Sequence, residues 1–259
     1  DELLDRMDER GVTFAPASGR QVWTLLDMFP GRPGMTAIGE NGAIVMRDGV
    51  EISCSPVDAP TLRAVVRLVR EATSGPDAID GGLVMCGKKF AYVERTDDEY
   101  VAGVMPYYHR TRRVEDQMAV IDAIEAGRSD DAIVKLAVYT PGPVAPLAQA
   151  TLANFAHSHQ YAISGANWAD LQVRGVDKGR AVRDLQRFLG VDRAQTAVFG
   201  DAGNDLSMMS EGDLSFAMAN ASPDVAEAAR FVAPSNNEAG VAQVLRVLLG
   251  DDPLVKDRL

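Results

Sequence analysis

Cysteine is nearly missing from this chain: only Cys54 and Cys86 occur, far apart and outside any metal-ligand spacing. That excludes a thiolate metal centre and predicts a reduced, cytoplasmic setting. Long apolar runs are missing too. None approaches the roughly 20 residues a membrane helix needs, and no signal-peptide pattern opens the sequence. Basic surplus is the third absence. Lys and Arg number 26 against 37 Asp and Glu, the net charge is −11, and no basic stripe can be drawn. This argues against nucleic acid or an anionic membrane as the partner. A small anionic substrate stays open, because one pocket can be positive on an acidic protein. Neither an internal repeat nor a low-complexity linker is found.

What is present is ample core material. The 259 residues are 46% hydrophobic, enough for one large domain or two modest ones. "DELLDRMDERG" has helical spacing with Gly11 as its stop, "VTFAPASGR" reads as a short buried strand entering a loop, and "MTAIGENGAIVMRDG" as strand, glycine turn, strand. Alternation of short strands with amphipathic helices predicts an α/β fold, a Rossmann-like parallel sheet covered on both faces. The middle differs. "PTLRAVVRLVREA" and "DQMAVIDAIEAG" are helical, "GGLVMCGKKFAYVER" and "QYAISGANWADLQVRG" suggest paired strands, and together they predict an inserted α+β module. After Gly175 the α/β rhythm returns, with "DKGRAVRDLQRFLG" and "NDLSMMSEG" as helices and "TAVFG" and "LSFAMAN" as strands. The predicted division is 1–53 and 170–259 for the core and 54–169 for the insertion.

The chemistry concentrates in "TAVFGDAGNDLSMM", residues 196–209. A strand ends in glycine and then places Asp201, Asn204 and Asp205 on one tight turn, at the strand end where open α/β sheets bind ligands. Carboxylates this close call for a cation, and a set without histidine or cysteine suits a hard ion such as Mg²⁺. Helix capping accounts for one of the three residues, not the set. "ASGR" offers the Ser18 hydroxyl and the Arg20 guanidinium to an anion. "GVDKGRAV" puts Lys178 at a helix start, where a cation is unfavourable unless an anionic partner lies nearby. Met208 and Met209 read as packing beneath the turn. His157 and His159 read as a helix end, and His109, Lys88 and Lys89 as ordinary surface of the inserted module.

In this order the three elements resemble the haloacid dehalogenase superfamily, most closely its Cof-like sugar-phosphatase branch with a large α/β cap. "FGDAGNDLSMM" resembles the family's fourth motif, "GVDKGRAV" its third and "APASGR" its second. "ENGAIV" resembles the segment before the cap, and "FAMANASPDVAEAARFVAPSNNEAGVAQVL" the C-terminal stretch. The resemblance implies a phosphatase acting through an aspartyl-phosphate, with Mg²⁺ neutralising the reacting anions. It implies Asp201 as a direct metal ligand and Asp205 as a ligand or a partner acting through water. Ser18, Gly19, Asn41 and Asn204 are implied phosphate or substrate contacts, Lys178 a stabiliser of phosphoryl charge, and Arg20 a phosphate or substrate contact on the cap side.

The family's first motif, an Asp-x-Asp-Gly-Thr run that supplies the nucleophile and the general acid/base, is not in the sequence. "DAIDGG" (77–82) has the wrong spacing and lies in the insertion. In this fold the first strand is central. Without it, unpaired backbone groups costing on the order of 1–3 kcal/mol each would weigh against a net stability of about 5–15 kcal/mol. The expectation is therefore that the motif lies upstream of Asp1. Two other functions compete with the phosphatase: a non-catalytic phosphate- or metabolite-binding relative, and a phosphomutase. The substrate's identity and the oligomeric state are not legible.

Overall fold

The structure, a computed structural model, describes residues 2–250; positions 251–259, counted above in the last core segment, lie outside the described residues. Helix α1 (Glu2–Glu9) opens the chain and ends at Gly11, whose φ of +69° favours glycine. Residues 13–17 then run beside β1 (Thr36–Gly39), joined by the single parallel bridge Ala17–Ile38. The strand expected at "VTFAPASGR" is thus reduced to one bridge. Pro16 has no N–H to give a ladder, although its carbonyl still accepts the Ile38 N–H at 2.9 Å. Helix α2 (Val22–Leu26) lies between, and β1, β2 (Ile44–Arg47) and β3 (Val50–Cys54) form an antiparallel sheet.

A second, six-stranded sheet is built from residues 82–173. Its strands are β4 (Gly82–Gly87), β5 (Ala91–Val93), β6 (Thr111–Arg113), β7 (Ile133–Tyr139), β8 (His159–Ile163) and β9 (Trp168–Val173), in the order β6-β5-β4-β7-β9-β8. One face is covered by α3 (Ala59–Ala72), α5 (Gln117–Glu125) and α6 (Ala145–Ala150). Helix α3 shows why: Leu62, Val65, Val66 and Val69 recur at helical spacing and are all buried, each burial contributing roughly 1.5–3 kcal/mol. Asp58 caps it by accepting the Thr61 N–H at 2.9 Å. Helix α4 (Asp98–Val104), absent from the sequence reading, packs Tyr100 and Val104 on the opposite face. Its signal was short and broken by Gly103 and Pro106, and the Asp97 cap is its clearest mark.

Three parallel strands complete the fold: β10 (Ala197–Gly200), β11 (Leu214–Met218) and β12 (Phe231–Ala233). Phe199, Phe216 and Phe231 are in register across them, with ring centroids 4.9 and 5.3 Å apart. This aromatic column aligns the strand ends that carry the site. Helices α7 (Lys178–Leu189), α8 (Pro223–Ala228) and α9 (Gly240–Leu248) flank them. Among the described residues β10 pairs only with β11. Ala181, Val182 and Leu185 of α7 bury against Ile38, Val45, Val198 and Met208, which joins the antiparallel and parallel sheets in one core. Met209 is buried there as well, as its spacing predicted.

The start of α7 is held twice. Asp177 caps it by accepting the Arg180 N–H at 2.8 Å. Gly42 then approaches so closely that a Cβ there would lie 2.2 Å from the Asp177 carbonyl oxygen. Asp177→Ala should lower stability by about 1 kcal/mol in urea unfolding, with the far-UV spectrum of the native state unchanged.

Candidate active site

The pocket at the carboxyl end of β10 gathers residues from both ends of the chain. Ser18, Lys178, Asp201, Asn204 and Asp205 all line it. The turn after Asp201 is a 3₁₀ segment, Gly203–Met208, not the α-helix expected there. The cause is the Asp205 side chain. Its Oδ2 accepts the backbone N–H of Asp201 at 3.0 Å and of Ala202 at 3.2 Å, which pulls the turn tight. Gly200 makes room, since a Cβ there would lie 2.5 Å from that of Asp205.

The other Asp205 oxygen, Oδ1, accepts from Lys178 Nζ at 2.6 Å. Both side chains are buried, so this is the anionic partner that a lysine at a helix start requires. With its two oxygens so engaged, Asp205 braces the turn and fixes the ammonium. Asp201 is left as the partly exposed carboxylate of the pocket. Its Oδ2 accepts from Asn236 Nδ2 at 2.7 Å, and Oδ1 has no hydrogen-bond partner among the described residues.

The remaining predicted residues fall into two groups. Asn41 joins the cluster through its Oδ1, which accepts from Asn204 Nδ2 at 3.1 Å across 163 positions of sequence. Asn41 N–H donates to the Ser18 carbonyl at 3.0 Å, so Ser18, Asn41 and Asn204 form one polar edge. The Ser18 hydroxyl accepts the Arg20 N–H at 3.2 Å and its own proton remains available. Gly19 instead turns its carbonyl to Lys135. Arg20 is exposed and leans to Tyr107, 5.7 Å from the ring centre.

The bland assignments fare simply. Lys88 pairs with Glu51 at 3.0 Å, Lys89 with Asp130, and His109 meets Asp27 at 3.1 Å. His159 opens strand β8 where a helix end was expected and lies 3.7 Å from Asp58, while His157, in the turn before it, contacts the Asn154 carbonyl. Burial pushes the Cys86 thiol well up, an inert core group. Asn236, Glu40 and Lys135 were not singled out from sequence. Asn236 sits in "PSNNEAG", where only the proximity created by folding links it to Asp201.

Among the described residues no group of three or more His, Cys, Asp or Glu side chains is arranged to hold a metal. The donor set nonetheless fits Mg²⁺, which keeps several waters and binds through one or two carboxylates plus substrate phosphate. Asp201 supplies such a carboxylate, with no nitrogen or sulfur ligand beside it. Among the described residues that line the pocket there is no His or Cys, the ligands that dominate zinc sites. Asp205→Ala should destabilise the fold by about 3–5 kcal/mol, because it leaves a buried ammonium unpaired. Asp201→Ala should cost no more than about 1 kcal/mol. Urea unfolding of the two variants side by side checks the difference.

The family profile of haloacid dehalogenase-like hydrolases matches residues 1–245. The chain is 30% identical over 247 residues to the 5-amino-6-(5-phospho-D-ribitylamino)uracil phosphatase YbjI of Escherichia coli, covering 94% of this chain and 86% of that one. In fold it is similar to a haloacid dehalogenase-like hydrolase from Bacteroides thetaiotaomicron, with TM-score 0.78, 20% identity and 95% and 90% of the two chains covered. It is likewise similar to the subclass IIB sugar phosphatase BT4131, with TM-score 0.67, 17% identity and coverage of 95% and 89%. No helix among the described residues is long and apolar enough to cross a membrane. The chain belongs to the haloacid dehalogenase-like hydrolase family, as a phosphatase of its Cof-type branch.

Proposed function

We propose that this protein is a Mg²⁺-dependent phosphatase of small phosphorylated metabolites, sugar phosphates first among them. The observation that carries the reading is the shared pocket: a fixed ammonium (Lys178), a hydroxyl (Ser18) and an amide (Asn204) beside one open carboxylate, Asp201. Lys178, held by Asp205, offers positive charge to phosphoryl oxygens without rearranging. Ser18 and Asn204 offer oriented hydrogen bonds to the same oxygens. Mg²⁺ bound at Asp201 would neutralise the phosphate so that an anionic nucleophile can approach. The family resemblance supports an aspartate nucleophile that attacks phosphorus as the substrate's alcohol departs, the aspartyl-phosphate then being hydrolysed by water.

Residues 54–169 serve in this proposal as a cap that closes on the leaving group and excludes water. Tyr107, whose ring centroid lies 5.3 Å from that of Trp168, stands next to Arg20. The ribitylaminouracil phosphatase among its relatives makes a phosphorylated polyol carrying a planar ring a member of the substrate panel. A cytoplasmic location belongs to the same proposal.

The test is phosphate release from a panel of sugar and polyol phosphates, using the chain as given and the chain extended by any codons upstream of Asp1. Mg²⁺-dependent release, abolished by chelation and lowered about a hundredfold by Asn204→Ala, is the expected result. Binding of Mg²⁺ and phosphate without release from any substrate by either form would overturn it in favour of a binding protein. Conversion of a sugar phosphate to its isomer would show a mutase instead.

A further inference from the structure

Three ionisable side chains outside the pocket are almost inaccessible, and they meet where the six-stranded sheet touches the Ser18 turn. Lys135, on β7, is 2% exposed, Glu40 1%, and Asp170, on β9, 7%. Lys135 Nζ lies 2.5 Å from Glu40 Oε2 and 4.0 Å from Asp170 Oδ1. It also donates to the Gly19 carbonyl at 3.0 Å, 116 positions earlier in the chain. The Tyr108 ring lies 5.7 Å from it, and the Cys86 thiol bonds to the Tyr108 hydroxyl in the same wall. Burial alone would lower the Lys135 pKa, but the Asp170 and Glu40 carboxylates raise it well above that of an ordinary lysine. The ammonium therefore stays charged in a nearly dry setting.

Such a cluster is a poor way to gain stability, because desolvation offsets most of the attraction between buried ions. Its local cost is visible. Glu40 Oε1 is buried without a hydrogen-bond partner. Glu40 and Asn41 both hold left-handed backbone, with φ of +49° and +54°, and neither is glycine. Strain of this kind persists where the surroundings impose it, and it clusters at functional sites. Two of the contacts of Lys135, those to Gly19 and Glu40, fall on the immediate chain neighbours of site groups. Gly19 sits between Ser18 and Arg20, and Glu40 precedes Asn41, whose side chain holds Asn204.

We infer that Lys135 is a positioning residue: from the six-stranded sheet it grips the Gly19 carbonyl and the Glu40 carboxylate, and so sets Ser18 and Asn41 for phosphate. The inference rests on the phosphatase reading above. It makes the inserted sheet part of the phosphate site's own scaffold, in addition to a cover over the substrate.

The test is calorimetric titration of the full protein with inorganic phosphate in the presence of Mg²⁺, run beside thermal unfolding. Lys135→Met combined with Glu40→Gln removes two of the three charges at nearly constant volume and leaves Asp170 as the remaining one, so it should fold but unfold somewhat below the parent temperature. It should bind phosphate about tenfold more weakly, the usual scale for losing a supporting partner of a site. Lys135→Arg keeps the charge but not the fit to a single carbonyl, and should give the same split between stability and affinity. Parent-like phosphate affinity in the folded double variant overturns the inference and leaves the cluster a structural one. If the double variant does not fold, parent-like affinity in Lys135→Arg does so. A parent that binds no phosphate overturns the phosphatase reading and this inference with it. The two failures are thereby distinguished.

Discussion

The buried contact between Lys178 and Asp205 is the constraint on which the site depends. Asp205 Oδ1 fixes the ammonium at the start of α7, and Oδ2 closes the turn that presents Asp201 and Asn204. One carboxylate thus joins a helix N-terminus, a strand end and a 3₁₀ turn. In a low-dielectric setting neither charge is tolerable alone, so the pair forms together or not at all. The consequence for function is a positive charge set before any ligand arrives. Asp201 is spared for that ligand because Asp205 takes the bracing work.

Around this pair the chain builds a polar edge out of distant segments. Ser18 and Asn41 come from the N-terminal third, Asn204 and Asn236 from the C-terminal part, and backbone or side-chain amides connect them. The phenylalanine column across β10, β11 and β12 supplies the rigid floor, while Gly42 and Gly200 let backbone and side chain approach where any Cβ would collide. Rigid elements set the position, and short polar side chains at their ends face the pocket.

Much of this was legible in the sequence for one physical reason: the most informative residues are contiguous. "GDAGND" states a turn, a charge cluster and a strand end within six positions, and a lysine opening a helix announces an unseen anion. The alternation of strands and helices likewise foretold the α/β class. What was illegible depended on long-range contact. A lone Lys135 in a strand reads as a surface charge until folding sets Gly19 and Glu40 against it. Asn236 reads as loop until β12 brings it beside Asp201. The strand expected at residues 12–17 failed locally, because Pro16 withholds the donor a ladder needs. Helix α4 was hidden by its seven-residue length, by Gly103 inside it and by Pro106 just beyond its end.

The turn at Asp201 is proposed to be a cation site facing a phosphate site. Crystals soaked in Mn²⁺ and inorganic phosphate, with diffraction measured at the manganese absorption edge, address it directly. The account predicts an anomalous peak against the Asp201 carboxylate, with phosphate beside it in contact with Ser18, Asn204 and Lys178. Manganese bound only elsewhere, with the Asp201 carboxylate still facing solvent in the presence of phosphate, would contradict it.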